Sequence, residues 1–320
     1  MQLDKTEIVI RQRSAHEILD LSMRVLRRHG LKIAAACGLF GVPLLVADVW
    51  LSAWMFTEDA VMAAEDMIDP QMYLRSRHAA HLLVLFVLQF PLISLPATIF
   101  LGDQVFYESP TIKHLLSKLA GIWIQTLWVL GICRLGLVSL VLAFAVNRSA
   151  VFDPAAELCL LIGLAASLLV RAVWPFAPEI LGLERCLIRP TRESPISYSV
   201  RRSGLHQSVS SDHVGRFLLC AVAAIALAVT LFGTALGAIA ALVGNLDFSI
   251  WYDRILLPLV FWLVGLFVVV FRFLSYLDSR IRLEGWELEL RMRAEGQRVI
   301  AAMNPPAVEL LTNPEDVLTG

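Results

Sequence analysis

The sequence is short of charge. Asp, Glu, Lys and Arg make up 17% of its 320 residues, against 58% hydrophobic. Few soluble domains show that balance. There is no phosphate loop, no Gly-x-Ser-x-Gly elbow and no Cys-x-x-Cys pair, so the usual marks of nucleotide, acyl-transfer and thiol chemistry are missing. The five cysteines, Cys37, Cys133, Cys159, Cys186 and Cys220, lack metal or redox spacing. They read as small packing residues, with no disulfide expected. His78 and His81 are three apart, but zinc needs a third and usually a fourth ligand. Asp69 or Glu65 could supply one, although interfacial histidines are the commoner explanation. Serines and histidines elsewhere show no triad spacing. We expect no enzyme, no cofactor, no metal site and no nucleic-acid partner. A cleavable signal peptide is not expected either, because the first apolar run follows some thirty polar or amphipathic residues.

What is present is apolar length. Mean hydropathy is +0.69. A membrane-spanning helix needs roughly 20 apolar residues, and six segments qualify: about 33–56, 80–102, 120–146, 156–180, 217–244 and 255–277. The fold expected is all-α, an integral membrane bundle of six transmembrane helices. The chain divides into an amphipathic helix at 1–30, the spans at 31–277, a charged helix at 278–302 and a tail at 303–320 rich in proline near its start. Of the 27 Lys and Arg residues, Arg75, Arg77, Arg148 and Arg254 fall on one side of such a bundle and Arg134 and Arg171 inside it. All the others fall on the opposite side. Positive loops stay cytoplasmic, which puts both termini inside a cell inner (plasma) membrane.

Residues 14–17, Ser-Ala-His-Glu, form a capping box, and Gly30 is a natural stop. The helix between them either lies on the membrane surface or runs on into the first span. Glu-Ser-Pro occurs twice, at 108–110 and 193–195, each time before a charged stretch and a pair of spans. Ser at the N-cap followed by Pro is a helix start. Starts at Ser14, Ser109 and Ser194 therefore read as three repeated units of a short helix and a helical hairpin. The acidic loop at 57–78 should hold a short interfacial helix before Pro70. Gly233, Gly237 and Ala241 share one face of the fifth span and suggest close internal packing.

Ionisable groups inside spans are costly and are the first functional candidates. Asp48 and Arg134 fall at similar depth when counted along straight helices, so an Asp48–Arg134 ion pair is expected. The alternative is that Asp48 snorkels outward and Arg134 bonds backbone carbonyls. Gln89 and Gln125 are placed to bond across helices. Pro91, Pro96, Pro175, Pro178 and Pro258 should bend their spans.

Residues 272–295 read RFLSYLDSRIRLEGWELELRMRAE. Opposite charges four apart favour a helix continuing from the last span, with Gly285 as a bend. The spacing D-x-R-x-R-x-E-G from Asp278 through Arg280, Arg282 and Glu284, with Tyr276 before it, resembles a tail shared by bacterial multi-pass membrane proteins. These are similar to the membrane domain found fused to some glycerophosphodiester phosphodiesterases. The resemblance extends to RSAHEILDLSMRVLRRHG near the N-terminus and to RRSGL at 201–205. It implies a membrane fold and no particular activity, and no long soluble stretch remains for the phosphodiesterase barrel.

Two functions fit. The first is a non-catalytic scaffold or assembly partner. Its basic face, with Arg27, Arg28, Arg201, Arg202, Asp278, Arg280, Arg282 and Glu284, would hold anionic membrane lipids or a membrane protein partner. The alternative is a transporter or lipid-handling permease built around Asp48, Arg134 and the proline bends. A packed bundle with a basic platform favours the first, and a continuous polar cavity reaching Arg134 the second.

Overall fold

The computed structural model describes residues 12–65, 68–105, 111–146, 154–188, 196–206, 210–244 and 252–284. Every regular element among the described residues is a helix, with no strand among them. In chain order the helices are α1 (Ala15–Ser52), α2 (Glu58–Ala63), α3 (Pro70–Val105), α4 (Ile112–Gly121) and α5 (Trp123–Ile132). They continue with α6 (Val138–Val146), α7 (Pro154–Val173), α8 (Ala177–Gly182), α9 (Tyr198–His206), α10 (Ser210–Val243) and α11 (Leu257–Glu284). Among the described residues, four helices are long and apolar enough to cross a membrane, or five if the bent α4–α5 pair counts as one.

α3 is the centre. In its most apolar stretch 83% of residues are buried, against 28% for α1, 44% for the last helix and 6% for α10. Leu85, Leu88, Leu95 and Ala97 of α3 have no exposed surface. Inside a bilayer this burial is not driven by water, so close packing must hold the helices together. Glycines permit it. A Cβ on Gly41 of α1 would fall 2.3 Å from the Trp262 ring of α11, and one on Gly102 of α3 would fall 2.3 Å from Leu183. The stripe at Gly233 and Gly237 does the opposite of what its spacing suggested. Nothing lies within 4 Å of either Cβ direction, and both residues face outward.

The expected helix starts hold where they are described. The Ser14 hydroxyl accepts from the Glu17 amide, and the Glu17 carboxylate accepts from the Ser14 amide at 2.9 Å. Gly30 does not stop the helix. A glycine stop needs a left-handed residue, and among the described residues the glycine with that conformation is Gly244 (φ 72°), just past α10. α1 therefore runs unbroken from the N-terminal segment into the first span. α2 is the short helix expected in the acidic loop, capped by Thr57. α4 and α9 are the short helices expected before the third and fifth spans. The two Glu-Ser-Pro starts lie outside the described residues, as do residues 285–320 with Gly285 and most of the charged tail helix. α11 carries the helix as far as Glu284. Cys37, Cys186 and Cys220 are buried as packing residues, whereas Cys133 and Cys159 are exposed.

The third span is broken. α4 meets α5 at 70°. α5 ends in π-helical turns, and Leu135 takes a left-handed φ of 62°. The Gly136 amide donates to Leu130 and the Leu137 amide to Gly131, which folds the chain back on itself. Gly136 is required there, because a Cβ would stand 2.6 Å from the Leu130 carbonyl oxygen. This fold presents Arg134 to the bundle interior.

Candidate functional site

A proline prepares half of the site. A proline in a helix leaves the carbonyl four residues earlier without its donor. Pro91 does this to Val87, and the Arg171 guanidinium donates to Val87 O and, at 3.2 Å, to Leu88 O. Trp174 lies between α7 and α8, where no helical amide reaches its carbonyl, and that carbonyl accepts from Arg134. Each intramembrane arginine is thus anchored by a carbonyl outside the helical ladder, freed by Pro91 in one case and by the break between α7 and α8 in the other. The Tyr198 side chain lies beside Arg134.

Asp48 and Arg134 do not pair. Asp48 is buried and accepts from Gln89 Nε2 at 2.7 Å, joining α1 to α3. Depth counted at a constant rise per residue fails for Arg134 because its span is bent, π-helical and folded back. Of the two alternatives, carbonyl bonding is the one Arg134 adopts.

Among the described residues, neither Arg134 nor Arg171 forms an ion pair. The nearby cations differ. Arg272 donates to Glu179 Oε1 at 2.7 Å, to Ser94 at 3.0 Å and to Thr98 at 3.1 Å. Glu179 is wholly buried, so this charge is matched. Arg216 pairs with Asp278 at 2.6 Å and Asp212 at 2.9 Å. A hydrogen bond to a charged group contributes about 1.5–3 kcal/mol. A lone cation at mid-membrane costs about 2.5–3.5 kcal/mol on insertion scales. The carbonyl bonds therefore offset the cost of each arginine without neutralising its charge.

All four arginines border one cavity of about 470 Å³, a size typical of ligand pockets. Its remaining lining is mainly apolar, drawn from α3, α7, α10 and α11, with Phe86, Phe90, Leu168 and Phe261 among the largest groups. Lining residues run from position 261 to 275 on α11, about 21 Å at about 1.5 Å per residue. Ala224 and Ala228 of α10 also line it.

The motif from Asp278 to Glu284 is a clamp at the end of the bundle where α11 finishes. Asp278 is 2% exposed and accepts from the Arg13 amide at 2.7 Å, from Arg216 and from Arg282 Nε at 2.8 Å. Glu184 collects Arg201, Arg280 at 3.3 Å and the Tyr276 hydroxyl at 2.5 Å. Arg202 stacks on Trp174 with its guanidinium 4.3 Å from the ring centre. Of the basic residues singled out from sequence, Arg27 and Arg28 on α1 and Arg282 on α11 stand exposed. Asp278, Arg280 and Arg201 thus tie helices together where the sequence suggested a contact surface. Charge pairs four apart were legible, but the partners at Glu184, Arg216 and Arg13 are remote in sequence. Glu284 ends α11.

At the opposite end, Arg77 and His81 both meet Glu157 at 2.7 Å, and His78 packs edge-on to Phe56. These histidines form no metal cluster among the described residues. Sequence reasoning missed Arg272 and Arg216 as interior charges, having placed them outside the spans, and passed over Glu179. It noted Arg171 only as a charge inside a span. The signal that could have found that half of the site is Pro91, which frees the Val87 carbonyl, in a chain with arginines inside its spans. Comparison with protein families, characterised proteins and solved structures finds no match, so the membrane-spanning helical architecture stands without a family.

Proposed function

We propose that this protein is a non-catalytic, multi-pass membrane protein that binds an anionic lipid. The phosphate or carboxylate head sits against Arg134 and Arg171, and an acyl chain fills the apolar part of the cavity. One observation carries the reading: two guanidinium groups with no carboxylate partner among the described residues share the wall of an apolar cavity inside a membrane bundle. A polar solute would find few partners there, whereas an anionic amphiphile matches both the charge and the apolar lining. The cavity reaches Arg134 as a permease requires, and its apolar character favours lipid over a water-soluble substrate.

The six-span arrangement belongs to the same proposal. α7 has 20 residues, about 30 Å of helix, and α5 with α6 makes one broken crossing. The end bearing Ala15 and Glu284 is then cytoplasmic. The resemblance of the tail to a membrane domain fused to glycerophosphodiester phosphodiesterases agrees with a lipid ligand. The scaffold reading keeps the support of the exposed Arg27 and Arg28.

Native mass spectrometry of the protein extracted in mild detergent tests this. Phosphatidylglycerol should stay bound where phosphatidylcholine does not, and an Arg134→Met/Arg171→Met variant should lose it. Equal retention of both lipids, or retention by the variant, refutes the site. A stoichiometric co-extracted protein would favour the scaffold.

A further inference from the structure

Beside the clamp, the cavity wall carries an acceptor and two donors that meet nothing. His213 and Arg216, three residues apart on α10, both line it. The His213 ring is 2% exposed, and its Nε2 reaches the Leu205 carbonyl at 3.3 Å. A carbonyl can only accept, so the ring proton sits on Nε2 and Nδ1 is left as an acceptor. That Nδ1 is buried with no hydrogen-bond partner among the described residues. Arg216 is 4% exposed, and its charge is matched by Asp278 and Asp212. Its Nε and Nη1 are nonetheless buried with no acceptor among the described residues. Buried polar atoms ordinarily find partners. A second anion is not what is missing, because the charge of Arg216 is already balanced. What fits is a neutral group that both gives and takes a hydrogen bond, as a hydroxyl does.

These atoms adjoin the unmatched cations. His213 packs edge-on to Phe176 with ring centroids 5.0 Å apart. Phe176 is two residues from Trp174, whose carbonyl holds Arg134. Two residues of chain reach at most about 7 Å, so one small head group can meet both places. Towards the other end of the cavity, Leu83, Phe86, Leu164 and Phe261 offer no donor and suit an acyl chain. We infer that the anionic lipid is one whose head carries free hydroxyls. Its phosphate lies against Arg134 and Arg171, and a hydroxyl of the head accepts from Arg216 and donates to His213 Nδ1. Phosphatidylglycerol has this chemistry. The ammonium of phosphatidylethanolamine has protons for His213 but no lone pair for Arg216, and the choline of phosphatidylcholine has neither. This inference deepens the lipid-binding reading above and rests on it.

The test is native mass spectrometry of the full chain with phosphatidylglycerol and phosphatidylmethanol of matched acyl chains in equal amounts. The two lipids carry the same phosphodiester charge, and phosphatidylmethanol has no hydroxyl in its head. The wild type should retain phosphatidylglycerol over phosphatidylmethanol by on the order of tenfold, which corresponds to about one well-placed hydrogen bond. His213→Phe should bring that ratio close to one. His213→Gln, whose amide oxygen restores an acceptor, should hold it above one. Equal retention of both lipids by the wild type would overturn the hydroxyl recognition and leave the anionic-lipid site standing. Retention of neither would overturn both. A preference for phosphatidylglycerol that survives in His213→Phe would show that the hydroxyl is read elsewhere and would also overturn the inference. If His213→Phe cannot be extracted folded, the wild-type ratio decides.

Discussion

Asp278→Ala should be among the most damaging single changes outside the apolar core. The carboxylate is 2% exposed and receives three donors, from Arg13, Arg216 and Arg282. Arg282 is a third exposed, so its share is small, about 0–1 kcal/mol. Arg216 decides the magnitude. It is 4% exposed and already leaves two nitrogens unpartnered. Removing one member of a buried pair costs about 3–5 kcal/mol, because the other charge remains buried. Asp212 still reaches Arg216 at 2.9 Å but is itself 41% exposed, so the lower end applies, about 3 kcal/mol. At about 2 °C per kcal/mol for a chain of this size, the melting midpoint in detergent should fall by about 6 °C. Arg216→Met alone should also destabilise, by leaving Asp278 with fewer donors. The double variant should recover part of the loss, since no uncompensated charge remains. Thermal unfolding of the four proteins measures the coupling directly. If Asp278→Ala melts with the wild type, or the double variant melts no higher than Asp278→Ala, the clamp does not hold the ends of the bundle.

Three further outcomes follow from the packing and the buried charges. Gly41→Ala should lower the melting midpoint through overpacking against Trp262, by about 1–3 kcal/mol, whereas Gly233→Ala and Gly237→Ala meet open space and should be neutral or stabilising by up to about 1 kcal/mol each. Thermal scans that gave all three the same sign would refute the packing described for α1 or α10. Glu179→Ala should cost about 3 kcal/mol, since Arg272 then sits buried beside neutral partners only, and Arg272→Met in the same chain should restore part of it in the same assay. Burial pushes the His206 imidazole from 6.5 down to about 4, against a smaller opposing effect of its hydrogen bond to the Arg202 carbonyl. Between those values the unfolded chain takes up a proton that the folded chain refuses, so this contribution is fully present above pH 6.5 and is lost as pH falls towards 4. The loss amounts to about 3 kcal/mol, and a His206→Gln protein should show a flatter melting profile over that range.

Much of the architecture was legible in order along the chain. The α1 cap at Ser14, the interfacial helix α2 and the long apolar helices follow from capping chemistry and hydropathic length, which are local. The tail helix was legible as far as it is described, because its charge pairs sit four residues apart. Gly30 misled, since a glycine ends a helix only where the backbone turns left-handed, and Gly30 keeps helical geometry within α1. The stripe at Gly233 and Gly237 misled too, because small residues permit a neighbour without supplying one.

The candidate site was only half legible. Arg134 stood out as a charge inside a span, but its supposed partner Asp48 was chosen by counting along a helix that the chain does not form. The bend between α4 and α5 and the left-handed Leu135 shift Arg134 away from where a straight helix would put it. Arg171, Arg216 and Arg272 could not be sorted into free and neutralised charges from sequence. That sorting depends on whether Glu179 or Asp278 lies within a few ångströms, and those partners are remote in sequence.

The sequence by itself determined that this is a helical membrane protein, because apolar length and the placement of charge are properties of the chain. It also set that the Val87 carbonyl would lack a donor, because Pro91 stands inside a helix. Only the tertiary structure decided that Arg171 would fill that vacancy, that Arg134 would take the Trp174 carbonyl, and that both charges would border an apolar cavity. Contact between residues forty or more positions apart arises from packing, and no local pattern encodes it.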